Sequence, residues 1–122
     1  MRTIIAGGRD YHITQADVMR LNQLRNAIPI TEVVNGKARG VDTAGRLWAI
    51  NRDIPVKDFD AEWEVYGRTG PNHAGNVRNQ EMADYAEVLI AFPGGDGTDD
   101  MVNRARVAGL VVFDYREDLG LF

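Results

Sequence analysis

The stretch AFPGGDGTDD, Ala91 to Asp100, sets three glycines between an apolar run and the start of a helical pattern, and two aspartates follow at once. Glycine weakens any regular element it occupies, so its use here points to a turn in which the backbone must come close to something. Two similar turns lie upstream: GGRD (Gly7–Asp10) after the apolar run TIIAGG, and NGKARG (Asn35–Gly40) after TEVVNG. IPVKDF (Ile54–Phe59) and LVVFD (Leu110–Asp114) complete a set of five short apolar runs, counting the one that ends in Gly95. Most of the five are rich in Val and Ile and too short for helices, so they read as strands.

Helical patterns lie between most of them. The first opens at Thr14, with Asp17 three residues on as a capping box and Ile13 against Val18 as a staple; Val18, Leu21, Leu24 and Ile28 form its apolar stripe. The second, about residues 41–51, is expected to bury Val41, Ala44, Leu47 and Trp48. The third, about 76–86, is expected to bury Met82, Tyr85 and Ala86. The fourth, about 98–108, is expected to bury Met101, Ala105 and Ala108, with Gly109 as a left-handed stop. Strands alternating with helices predict a parallel sheet covered on both faces. Right-handed crossovers leave few topologies, and the one expected is a Rossmann-like three-layer α/β fold of strand order 3-2-1-4-5, formed as one domain over residues 1–122. The segment 60–75 has weak periodicity and four turn formers, and is the stretch expected to be mobile.

In that order the glycine turns after strands 2, 1 and 4 emerge side by side, at the carboxyl edge where the winding reverses and ligands bind in such sheets. Glycines expose N–H groups, and the helix that follows adds orphan donors and partial positive charge, a combination suited to phosphate. The expected ligand-binding residues are Gly7, Gly8, Arg9, Asp10, Gly36, Lys37, Gly40, Asp42, Arg78, Asn79, Pro93, Gly94, Gly95, Gly97 and Thr98. Asp96, Asp99 and Asp100 would repel a bare phosphate, so Arg9, Lys37, Arg39 and Arg78, or a magnesium ion carried with a nucleotide, are the candidates to offset them.

Composition narrows the function classes. The chain has 122 residues, 44% hydrophobic and 26% charged, an ordinary globular balance long enough for a core. No basic-then-apolar leader and no run of 18 apolar residues occurs, so a cytoplasmic protein without membrane association is expected. There are no cysteines, which excludes disulfides and thiolate chemistry, and His12 and His73 lack metal-site spacing. A net charge of −4 argues against nucleic acid as a partner.

AGGRD (Ala6–Asp10), VNGKARGVDTAGRLWA (Val34–Ala49), AEW with YG (Ala61–Gly67), AGNVRNQEM (Ala74–Met82) and AFPGGDGT (Ala91–Thr98) together resemble the YspA/YpsA-related branch of the SLOG superfamily. That superfamily includes the LOG phosphoribohydrolases, often labelled lysine-decarboxylase-like, and the DNA-processing protein DprA. The resemblance implies a Rossmann-like fold that binds or senses a nucleotide or nucleotide-derived small molecule. It also implies a homodimer, since LOG relatives are dimeric. LOG enzymes carry a signature similar to PGGxGTxxE with an arginine upstream, and split the N-glycosidic bond of a nucleoside 5′-monophosphate. Arg78 matches that arginine. The glutamate position is Met101, which can neither activate water nor hold charge. Asp100 lies about 100° away around the helix. The alternative to simple binding is therefore a nucleotide N-glycosidase with an altered carboxylate, for which Asp100, Asp99 and Asp10 are the candidates.

Other residues have two readings each. Arg78 can bind phosphate, with Asn79 on a ribose or base edge, or pair with Glu81 or Asp84 on a solvated face. Asp10 and Asp42 can cap a helix or orient a turn, or face a ribose hydroxyl or a cation. Trp63 and Tyr66 can stack on a base or pack beneath their loop, and His73 can reach the site as an acid or base or simply face solvent.

Overall fold

The computed structural model describes residues 1–117. Five strands, β1 (Arg2–Ala6), β2 (Glu32–Asn35), β3 (Val56–Asp58), β4 (Val88–Ala91) and β5 (Val111–Asp114), pair in parallel in the order β3-β2-β1-β4-β5. This is the expected α/β Rossmann-like sheet. Val33 lies opposite Val56, Ile4 opposite Val34 and Leu89, and Leu89 opposite Val112.

Because side chains alternate across a strand, the sheet feeds two cores. Ile4, Val34 and Leu89 face Met82, Ala83, Met101, Val102 and Ala105, from helices α4 (Ala74–Tyr85) and α5 (Asp96–Val107). Ile5, Val33, Val88 and Ile90 face Leu21 from α1 (Gln15–Ala27) and Val41, Trp48 and Ala49 from α2 (Val41–Ile50). Each large side chain sealed there contributes roughly 1.5–3 kcal/mol.

The α1 capping box forms as read: Thr14 Oγ1 accepts from Asp17 N (3.1 Å), and Asp17 Oδ2 accepts from Thr14 N (3.1 Å) and Tyr11 OH (2.6 Å). Gly109 has φ +80° and ends α5. Trp48 is buried, and its indole N–H donates to Asn22 Oδ1 at 3.0 Å.

Four details differ from expectation. Leu47 is 54% exposed, because the stripe of α2 runs through Val41, Gly45, Trp48 and Ala49, at helical steps of four, three and one. Ala108 is exposed beyond the last turn of α5, and Val102 takes the place given to it in the core. The segment 60–75 contains a one-turn helix, α3 (Trp63–Tyr66), and is tied down by Gly67 N to Trp63 O (2.9 Å) and Ala74 N to Gly67 O (3.0 Å). Helices α4 and α5 each begin two residues earlier than the sequence pattern indicates. Among the described residues no helix is long and apolar enough to cross a membrane.

Gly40, the N-cap of α2, has φ +74° and ψ −121°, a region closed to side-chain-bearing residues. A Cβ there would stand 2.6 Å from the Arg9 carbonyl oxygen, and nearer still to that of Gly8. A Cβ on Gly109 would meet nothing within 4 Å. Gly109→Ala should therefore cost only the left-handed backbone penalty, about 1–2 kcal/mol. Gly40→Ala should cost more than about 3 kcal/mol, by adding backbone overlap. Urea denaturation of the two variants checks the difference, and equal losses would count against the close approach of the turns.

Candidate functional site

The three glycine turns meet at the carboxyl edge of β2, β1 and β4. Gly8 sits in the middle. Its N–H donates to Pro93 O at 2.9 Å, and its carbonyl accepts from Val41 N at 3.3 Å, so the first turn is bonded to both others. A Cβ on Gly8 would lie 2.9 Å from Gly94 Cα, and one on Gly94 would lie 2.7 Å from Gly8 N. These two backbones touch without side chains between them.

Above the meeting point opens a cavity of about 390 Å³, within the range of small-molecule sites. Of the residues expected from the sequence, Gly7, Gly8, Arg9 and Asp10 line it from the first turn, and Gly36 and Asp42 from the second. Arg78 and Asn79 enter from α4, and Gly95, Gly97 and Thr98 from the start of α5. Lys37, Gly40, Pro93 and Gly94 do not line it. Lys37 has φ 59° and turns outward to pair with Asp60 at 2.8 Å, which raises its pKa. Gly40 and Gly94 serve the contact between turns, while Pro93 and Gly94 border a separate, shallower hollow with Arg116.

The aspartates divide by role. Asp100 Oδ2 accepts from Asn79 Nδ2 (2.9 Å) and Arg104 Nε (2.8 Å), which ties α5 to α4 outside the cavity lining. Asp99 pairs with Arg116 at 2.7 Å in the other hollow. Asp10 is exposed at the cavity rim. Met101, 1% exposed, lies in the cavity floor with Met82 and Ile4.

Asp42 does not cap a helix. Its Oδ2 accepts from Ala38 N at 3.1 Å and holds the second turn, while Asn35 Nδ2 donates to its carbonyl at 2.7 Å. Burial pushes the Asp42 carboxyl above its ordinary pKa, against the pull of the Ala38 N–H and the Arg78 charge. Arg78 points inward rather than toward Glu81 or Asp84: Nη1 donates to Gly36 O at 2.9 Å. Burial lowers its pKa, the Asp42 charge raises it, and Arg9 lowers it further. Among the described residues, Arg78 Nε is the one side-chain polar atom buried without a partner.

The start of α5 is open at the cavity. Gly95 caps α5 with no side-chain acceptor, and Thr98 N and Asp99 N both reach back to Gly95 O at 3.1 Å. Arg9 makes no hydrogen bond or ion pair among the described residues. The far wall consists of Trp63 and His73, stacked at 6.1 Å, with the Arg68 guanidinium 5.0 Å from the Trp63 ring centre. His73 caps α4, since Nδ1 accepts from Gly75 N (3.0 Å) and Asn76 N (3.4 Å), which places its ring proton on Nε2. Among the described residues no group of three or more His, Asp or Glu is placed to hold a metal ion.

Ala38, Gly75, Asn76, Met82 and Met101 also line the cavity and were not expected there. The small pair Ala74–Gly75 just after His73 was the signal available for the α4 end. It reads as a helix start only once His73 is taken as the cap.

A profile of the YspA, cpYpsA-related SLOG family matches residues 1–66, which carry the first two glycine turns and Trp63. The chain belongs to that family. The SLOG chain is also similar in fold to a solved structure, DNA processing protein A (DprA) from Streptococcus pneumoniae. The TM-score is 0.67 and the identity 17%, over 92% of this chain and 49% of the other, so the SLOG chain spans about half of that protein's length. No curated protein matches it significantly.

The Asn79–Asp100–Arg104 tie generates a test. Asp100→Ala should lower unfolding free energy by about 1–2 kcal/mol, the worth of charge-assisted bonds at a half-buried site. Urea denaturation measures it. A change within experimental error would show that α4 and α5 are not held by this carboxylate.

Proposed function

We infer that the chain binds or senses a nucleotide or nucleotide-derived phosphate ester in this cavity. The observation that carries the reading is the open N-terminus of α5, with Gly95 and Gly97 bare and Arg9 unpaired beside it. Unsatisfied N–H groups and the helix dipole favour an anion there, and an unengaged arginine can add a planar, two-pronged donor. Membership of the SLOG family supports the nucleotide part of the reading. The net charge of −4 favours a small ligand over a nucleic acid.

Binding is favoured over N-glycosidic hydrolysis because Asp99 and Asp100 are spent on Arg116, Asn79 and Arg104, and Met101 fills the floor. A hydrolytic reaction would have to use Asp10 or Asp42. The reading involves no step through a metal. The whole chain, residues 1–122, acting as one unit in the cytoplasm and as a homodimer, belongs to the same proposal. Residues 118–122 lie outside the described residues.

Titration calorimetry with adenosine 5′-monophosphate should show saturable binding, weakened about tenfold by Arg9→Ala, the equivalent of about 1.4 kcal/mol. Absence of binding to this and the other common nucleoside 5′-monophosphates would overturn the reading. Release of free base at catalytic rates would replace it with the hydrolase.

A further inference from the structure

One tryptophan serves neither core. Every other described Phe, Tyr or Trp lies in or against one of the two sheet cores, except the exposed Tyr66. Trp63 is half-buried on α3, a one-turn helix none of whose residues is buried, and it forms part of the cavity wall. A large apolar ring left partly in contact with water gains free energy from whatever covers it. Among the described residues that line the cavity, only Trp63 and His73 carry rings.

Two groups touch the indole, and neither closes it. The His73 ring lies 16° from parallel with its centre 6.1 Å away. Carbon atoms in full contact sit about 3.5–4.0 Å apart, so the imidazole covers at most part of one indole face. Arg68 places its guanidinium 5.0 Å from the ring centre, but it is exposed and makes no hydrogen bond or ion pair among the described residues, so nothing else holds it there. The wall itself is fixed. His73 Nδ1 accepts from Gly75 N and Asn76 N, which sets the imidazole plane. A Cβ on Gly75 would stand 2.9 Å from His73 Cε1 and 3.5 Å from Trp63 Cη2, so both rings lie against the bare start of α4. A ring surface held in place in advance loses little freedom when a ligand lands on it.

The rings stand apart from the start of α5. His73 precedes Asn79 by six residues, about 9 Å of helix rise, and Asn79 Nδ2 donates to Gly97 O at 3.2 Å. That separation leaves room for a sugar between a ring at one end and a phosphate at the other. We propose that Trp63, backed by His73, seats the base of the ligand: a planar heteroaromatic ring stacks on the indole while the phosphate lies at the start of α5. This assignment rests on the nucleotide reading of the same cavity and gives the base a place in it. Stacking accepts any flat base, so the seat selects nucleotides over the abasic sugar phosphate rather than one base over another.

The test begins with the unaltered protein. Adenosine, guanosine, cytidine and uridine 5′-monophosphate are titrated beside ribose 5-phosphate in a calorimeter. The tightest nucleotide should bind at least about tenfold more tightly than ribose 5-phosphate. It should also change the tryptophan emission, which ribose 5-phosphate should leave alone. Trp48, the other tryptophan, is 4% exposed in the core packed on α1 and α2 and does not line the cavity. In Trp63→Leu, which keeps apolar bulk without the ring, the preference should shrink to less than about threefold while ribose 5-phosphate binds as before. Trp63→Phe should restore most of it. Equal affinity of the nucleotides and ribose 5-phosphate overturns the base seat and leaves the anion reading of α5 standing. Binding of none of the five overturns the nucleotide reading and the base seat with it. A preference undiminished in folded Trp63→Leu, or emission unchanged at saturation with the tightest nucleotide, overturns the role of Trp63.

Discussion

The backbone of Gly8 lies against two other turns at once, and the site depends on that contact. Its N–H is given to Pro93 and its carbonyl to Val41, while Gly94 and Gly40 press against the same peptide units. Side chains at these points would force the turns apart. Without them, the ends of β2, β1 and β4 are locked into one rim, and the starts of α2 and α5 are aimed across it. Packing of this kind is all-or-none, because close-packed backbone has no slack to take up an extra atom.

A second layer of order comes from groups that reach between elements. Asp42 holds the Ala38 N–H, Arg78 holds Gly36, and Asn79 holds both Gly97 and Asp100. Helix α4 is thereby fastened to the turn after β2 and to the start of α5. The same residues leave a buried donor unmet at Arg78 Nε. A native protein tolerates such a cost, about 1–3 kcal/mol, where stability is traded for a prearranged site. The exposed Arg9, the half-buried Arg78 and the buried Asp42 all line the one cavity.

The sequence made the sheet legible because its signals agreed. Five Val- and Ile-rich runs, helical stripes between them and a glycine turn after β1, β2 and β4 lead to one topology. Adjacency of the turns followed from strand order alone. What could not be read was how each helix is rotated and where it begins. Leu47 fits an apolar pattern with Val41 and Ala44, but Gly45 and Ala49 let α2 lie closer to the sheet on a neighbouring face, and Leu47 turns outward. His73 gave no cue as a cap, since histidine is not among the residues preferred there, and so the start of α4 with its Gly75 and Asn76 was missed. Lys37 looked like a phosphate ligand by position, but Asn35 Oδ1 accepts its N–H at 2.7 Å and the left-handed turn sends its side chain to Asp60. Asp99 and Asp100 were candidates by nearness in sequence to the glycine turn, and helical geometry carries both away from the cavity.

Amide chemical shifts test the shared rim most directly. In a ¹⁵N-labelled sample titrated with adenosine 5′-monophosphate, the account predicts that the amides of Gly7–Arg9, Gly36, Gly95 and Gly97 move together along one saturation curve. Shifts confined to a single turn, or gathered instead around Pro93, Asn103 and Arg116, would contradict it.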